Sequence, residues 1–97
     1  MNYTLHPGAE LDVDEACSRY RKNSSGLVVV RFLDEFDRVA RLLADQPGLR
    51  TPAEGGRSTF PLQRFPYSII FKAAGTGIRV LVVRHQHRDP GYGEARS

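Results

Sequence analysis

This chain has few of the residues that build disulfide-bonded or membrane-spanning structures. It contains one cysteine, one methionine and no tryptophan among 97 residues. Because Cys17 is alone, no disulfide can form within the chain, and nothing in the sequence requires an oxidising compartment. The longest apolar runs, 27–30 and 80–83, are far shorter than the roughly 20 residues needed to cross a bilayer. The first residues also lack the features of a signal peptide, so we expect a cytoplasmic protein without membrane contact.

Charge is distributed unevenly along the chain. Residues 1–56 hold seven Lys/Arg and nine Asp/Glu, a net charge of −2, whereas residues 57–97 hold seven and two, a net charge of +5. The total of +3 is small, and solubility alone would account for it. The concentration of cations in the second half instead favours contact with an anionic target or an acidic partner.

Hydrophobic periodicity divides the chain into a helical half and a strand half, which we expect to form one domain over residues 1–97. A short strand at 3–6 precedes Pro7, which suits the first turn of a helix. That helix is broken by Asn23-Ser24-Ser25-Gly26, and a second helix is predicted at about 27–45, ended by Pro47-Gly48. A loop is expected at 49–56, followed by strands at 57–63, 67–73 and 78–85.

This order of elements predicts an α+β fold, with an antiparallel helical hairpin packed on one face of a small, mainly antiparallel β-sheet. Pro61 indicates that the 57–63 strand lies at an edge or contains a bulge. Strict alternation in the last strand would place Ile78, Val80 and Val82 on one face, and Arg79, Leu81, Val83 and His85 on the other.

The end of the last predicted strand carries a cluster of residues that can bind phosphate or move protons. His85 and His87 are flanked by Arg84 and Arg88, and Tyr92 follows. Imidazole exchanges protons near neutral pH, guanidinium binds phosphate and a phenol can donate a proton. These groups are suited to metal-independent RNA cleavage. The alternative is a basic strand end that contacts a partner without catalysis. Apart from Asp89, no Cys, Asp or Glu lies at a spacing that would let it bind a metal together with the two histidines, so we expect no metal and no cofactor.

Further polar and aromatic residues lie at the ends of the preceding predicted strands. Arg57 and Arg64 bracket the first strand of this half, and Tyr67 begins the next. We predict that a target contacts the following residues: Arg57, Arg64, Tyr67, Arg84 and His87. A solvated strand end is the competing interpretation.

A series of short motifs runs nearly from end to end of the chain: His6-Pro7, Ala9, Asp12-Val13, Glu15-Ala16, Arg31-Phe32-Leu33, Leu42, Pro47, Arg57, Arg64-Phe65-Pro66-Tyr67, and the ending His85-x-His87-Arg88-Asp89-Pro90-x-Tyr92. In their order and spacing these motifs resemble the RelE/ParE superfamily of bacterial toxins. The resemblance implies a small toxin of a type II toxin–antitoxin module. A cognate antitoxin would neutralise it, and the two would form a hetero-oligomeric complex.

Two departures separate this chain from the RNA-cleaving members of that superfamily. Ser68 and Gln86 stand where those members tend to carry arginine, so the chain looks like the ParE branch, which poisons DNA gyrase. Gly93 stands where that branch often carries tryptophan. The alternatives are a RelE-like ribonuclease that cuts mRNA on the ribosome, with His85, Arg88 and Tyr92 as catalytic residues, and a non-toxic antitoxin-binding module.

The second predicted helix provides a candidate antitoxin surface. Val29, Phe32 and Phe36 recur at helical spacing and form an apolar stripe. We predict that the antitoxin binds beside this stripe and the open sheet edge, by strand addition or as a helix in a groove.

Overall fold

A computed structural model describes residues 2–46 and 56–97. Its elements are β1 (Tyr3–Leu5), α1 (Pro7–Asn23), α2 (Gly26–Asp45), β2 (Ser58–Pro61), β3 (Tyr67–Ala74) and β4 (Gly77–His85). The strands form one sheet in the order β1-β4-β3-β2, in which β1 is parallel to β4 and the other pairs are antiparallel. The predicted α+β fold is therefore confirmed. The predicted loop at 49–56, except Gly56, and the Pro47-Gly48 helix stop lie outside the described residues.

The two helices begin where the sequence signals indicated. His6 caps α1, since its Nδ1 accepts a hydrogen bond from the Gly8 N–H at 2.9 Å, and Pro7 occupies the first turn. In α2 one apolar stripe buries Phe32, Val39 and Leu43 against the sheet. No helix within 2–46 and 56–97 is both long and apolar enough to span a membrane.

The core between the helices and the sheet contains an aromatic cluster. Phe32 is fully buried, and its ring centroid lies 5.6 Å from that of Tyr20, 5.3 Å from that of Phe65 and 5.4 Å from that of Tyr67. These residues come from α1, α2, the β2–β3 connection and the start of β3. The cluster therefore fixes the helical hairpin to the end of the sheet that carries the candidate site.

A β-bulge in β4 overturns the predicted strict alternation of that strand. Ile70 pairs with Val82 and Phe71 with Val80, so Leu81 is an extra residue in the ladder. Val80 packs in the main core, whereas Leu81 and Val82 both pack with Ile70 in a separate cluster on the other face. The prediction that Val82 shares a face with Val80 was wrong. The bulge returns Val83 and His85 to the helical face.

Candidate functional site

Asp12 lies beside β4 at the point where the neighbouring strand β1 ends. β1 pairs with β4 only from Ile78 to Val80, because the chain then turns into α1. Beyond that point, the Val83 N–H donates to Oδ2 of Asp12 at 3.0 Å. The carboxylate, on a residue only 5% exposed, thus replaces part of the missing strand.

Arg96, near the C-terminus of the chain, also bonds to the edge of β4 that β1 leaves unpaired. Its guanidinium donates to the Leu81 carbonyl at 3.0 Å and to Oδ2 of Asp12 at 2.6 Å. Side-chain exposure is 17% for Arg96 and 3% for Asp12, so this is an ion pair largely removed from water. Because the pair also hydrogen-bonds to the backbone of β4, its loss would leave buried polar groups unsatisfied.

Tyr92 joins the same network. Its hydroxyl donates to Oδ1 of Asp12 at 2.5 Å and accepts from Arg96 at 3.0 Å, while the Arg88 and Arg96 guanidiniums lie 4.3 and 4.9 Å from its ring centroid. The hydrogen bond to Asp12, followed by burial, raises the pKa of Tyr92 above its ordinary value. This phenol is therefore held as a structural donor, because releasing its proton would break a bond to a buried carboxylate.

Two of the predicted target-binding arginines bind backbone carbonyls of residues 86–96, here called the C-terminal segment. Arg57 donates to the carbonyls of Gly93, Glu94 and Arg96, and Arg84 donates to that of Pro90 at 2.9 Å. Successive turns form the segment. It passes so close to the sheet that a Cβ on Gly93 (φ 76°) would lie 2.5 Å from Cγ2 of Val82. Packing thus explains the glycine at this position.

His85 lies on the helical face of the sheet, near Glu15 and Arg19 of α1, which the sequence did not connect with it. Its ring packs edge-on against Tyr67, with centroids 5.0 Å apart. Arg19 of α1 donates to the Tyr67 hydroxyl at 3.4 Å, and Arg88 pairs with Glu15 at 3.2 Å. The cavity that these side chains line holds only about 10 Å³. His85 and Tyr92 therefore have different packing partners, although Arg88 lies beside both, and the cavity at His85 has no room for a nucleotide.

The surroundings of His85 lower its pKa below the ordinary 6.5, through burial first and then the charges of Arg19, His87 and Arg88. Above pH 6.5 the imidazole is neutral in both folded and unfolded chains. As the pH falls through 6.5, the unfolded chain takes up the proton first, so His85 should lower stability progressively until the depressed native pKa is passed.

We expect the NMR titration of His85 to show a midpoint below 6.5. Arg88→Gln should raise that midpoint because it removes a nearby positive charge, whereas Arg41→Gln on α2 serves as a control and should leave it unchanged. A midpoint at or above 6.5 in the native protein would contradict this environment.

The remaining predicted target-binding residues differ in accessibility. His87 and Arg64 are exposed, whereas Tyr67 is only 4% exposed and belongs to the core. The His87 N–H donates to Nδ1 of His85 at 3.1 Å, which fixes the turn after β4. Of the five predicted residues, Arg64 and His87 therefore present their side chains most openly to a macromolecular target.

The predicted antitoxin-binding stripe lies inside the molecule. Val29, Phe32 and Phe36 are 7%, 0% and 3% exposed, because the stripe packs onto the sheet. Apolar side chains that do reach solvent on the helices are Leu11, Leu27, Val30, Leu33 and Leu42. A partner that binds this conformation would meet these residues and the neighbouring charges, not the stripe.

Arg19, Glu35 and Arg96 were not singled out from the sequence, and Asp12 was quoted only among the residues that resemble the superfamily, without a role in the site. From helical periodicity alone, an aspartate near the start of an amphipathic helix would be expected to be exposed. Only the folded structure places Asp12 at the edge of β4. Asp12 does follow α1's buried Ala9 at a spacing of three, which was the one available signal of an inward position. Within the described ranges, no cluster of three or more His, Cys, Asp or Glu residues could hold a metal ion.

Comparison with known proteins agrees with this architecture. The family model described as "ParE toxin of type II toxin-antitoxin system, parDE" matches residues 3–90. A solved structure titled "Chromosomal ParDE TA system from P. aeruginosa" superposes with a TM-score of 0.74 at 22% sequence identity, covering 88% of this chain and 95% of that one. At this identity the likeness shows the fold. No curated protein matches the chain.

Proposed function

The chain belongs to the ParE toxin family of type II toxin–antitoxin systems, and on this basis we propose that it inhibits DNA gyrase by protein–protein contact and is neutralised by a cognate antitoxin. The observation that carries the proposal is the engagement of Tyr92. Its hydroxyl donates to buried Asp12, and the Arg88 and Arg96 guanidiniums lie 4.3 and 4.9 Å from its ring centroid. A general acid for RNA cleavage would have to give up that proton.

Two other cations of the candidate site are also committed to the fold, and a third forms an exposed ion pair. Arg57 and Arg84 bind carbonyls of the C-terminal segment, and Arg88 pairs with Glu15. These contacts hold the C-terminal segment against the sheet, so that the segment forms part of a fixed protein surface. This surface has no open catalytic cleft at His85. Such a surface suits contact with another protein better than it suits acid–base chemistry.

Gyrase inhibition can be tested directly with purified proteins. We expect the wild-type chain to abolish ATP-dependent supercoiling of a relaxed plasmid by gyrase. Arg64→Glu with His87→Glu should weaken inhibition by at least roughly tenfold, because it reverses or adds charge at the two most accessible predicted contacts. Lys72→Glu with Arg79→Glu, which alters a cross-strand pair at the far end of the sheet, is the matched control. Unchanged supercoiling at saturating toxin would contradict the proposal.

A RelE-like ribonuclease is the second candidate, and one observation favours it. The lowered pKa of His85 keeps its imidazole neutral and therefore able to accept a proton at pH 7. The test is toxicity of the triple variant His85→Ala, Arg88→Ala, Tyr92→Phe, together with mRNA cleavage on translating ribosomes. Retained toxicity without cleavage would eliminate the ribonuclease; cleavage by the wild type that the variant loses would establish it.

A further inference from the structure

The groove between α2 and the β2–β3 connection is held open by a buried carboxylate. Glu35 is only 7% exposed, and its Oε2 accepts hydrogen bonds from the backbone N–H groups of Gln63 and Arg64, at 2.9 and 3.1 Å. Phe65, the next residue, packs its ring on Phe32. The connection is therefore fixed to α2 at two points, and the groove keeps its shape without a ligand.

Three arginines border this groove. Arg31 and Arg38 lie on α2 and Arg64 on the β2–β3 connection, around a volume of about 710 Å³. In the part of the chain that the structure describes, their guanidinium groups make no ion pair and no side-chain hydrogen bond. Asp34 is the one exposed acid among the lining residues, since Glu35 is already engaged by two amides. The lining thus carries three arginines without an ion-pair partner against two carboxylates, a net charge of +1, and only the Asp34 carboxylate is accessible.

We infer that this groove binds an acidic segment of the cognate antitoxin, an inference that rests on the proposed function. Guanidinium groups bind carboxylates through charge-assisted, often bidentate hydrogen bonds. Val28 and Phe65, both half-buried, supply apolar contacts at the two walls. An acidic chain with an occasional apolar side chain matches both features.

The spacing of the cations specifies the segment further. Arg31 and Arg38 are seven residues apart, about 10.5 Å along a helix that rises about 1.5 Å per residue. An extended chain rises about 3.3 Å per residue and points alternate side chains to opposite faces, so carboxylates four positions apart, about 13 Å, lie on one face and are within reach of both long arginine side chains. Arg64, also a predicted target contact, would be covered by the same segment. Occupation of the groove would then remove a residue that the toxin uses against its target.

The experiment uses the full-length chain and the full-length product of the adjacent antitoxin reading frame. We expect Arg31→Glu with Arg38→Glu to weaken their complex roughly 100-fold by calorimetry and to remove most of its salt dependence. Lys72→Glu with Arg79→Glu is the matched charge reversal outside the groove and should leave the affinity within about threefold. In cells, the groove variant should remain toxic but escape neutralisation, since neither arginine is a predicted target contact.

The binding measurements test antitoxin neutralisation and the groove assignment separately. A wild-type chain that does not bind the adjacent product would refute antitoxin neutralisation and the groove assignment together. A complex that forms equally with wild type and groove variant would refute only the groove assignment. Should the variant not fold, wild-type arginine modification by phenylglyoxal decides: protection of Arg31, Arg38 and Arg64 in the complex supports the assignment, and full reactivity overturns it.

Discussion

Asp12→Ala should destabilise the protein by about 3–5 kcal/mol, measured by urea unfolding of purified chains. The substitution leaves the Arg96 guanidinium without its ion pair, the Val83 N–H without an acceptor and the Tyr92 hydroxyl without its acceptor. All three groups lie at the boundary between α1, β4 and the C-terminal segment. The loss is a large fraction of the stability expected for a domain of this size, about 5–15 kcal/mol.

Glu15→Ala provides the matched control for Asp12→Ala. Glu15 also pairs with an arginine of the C-terminal segment, Arg88, but their side chains are 60% and 39% exposed. Exposed pairs contribute about 0–1 kcal/mol, so the control should unfold close to wild type. Equal effects of the two substitutions would show that Asp12 does not replace a strand neighbour of β4.

Phe32→Ala should destabilise the protein by about 3–5 kcal/mol, because it leaves a cavity inside the aromatic cluster of Tyr20, Phe65 and Tyr67. Leu33→Ala, at the adjacent 40% exposed position, should cost less than about 1 kcal/mol. Urea unfolding compares the two variants directly.

The same pair of variants decides what the apolar stripe of α2 does. If Phe32 is a core residue, any loss of antitoxin binding in Phe32→Ala should parallel the loss of folded protein and recover at low temperature. A Phe32→Ala chain that unfolds like wild type but no longer binds its antitoxin would place the ring on the binding surface instead.

The fold was predictable because its signals are local and redundant. The helical period of α2, Pro7 after a short strand and the Gly-containing turn between β3 and β4 each specify an element without reference to distant residues. The bounds predicted for α2 and the four strands agreed to within one residue at every end but one, because caps and turn residues set them. The exception was β2, shorter than predicted: its ladder runs only from Ser58 to Pro61, after which Leu62 bonds across the turn to Tyr67.

The candidate site was predicted less completely, because its geometry depends on contacts between residues far apart in sequence. His85 and Tyr92 are seven positions apart, yet the bulge and the turn after β4 send one toward Arg19 and Tyr67 and the other toward Asp12 and Arg96. Sequence proximity suggested one catalytic cluster. Period-two alternation could not reveal the bulge, since Leu81, Val82 and Val83 are all apolar.

The residue chemistry, the order of helices and strands, and the concentration of cations in the second half of the chain follow from local propensity and composition. Which cations remain available to a partner depends instead on folding, because the acids and carbonyls that pair with them come from other elements. Asp12 and the carbonyls of the C-terminal segment occupy Arg96, Arg57 and Arg84, while the α2 groove leaves Arg31, Arg38 and Arg64 open to a partner.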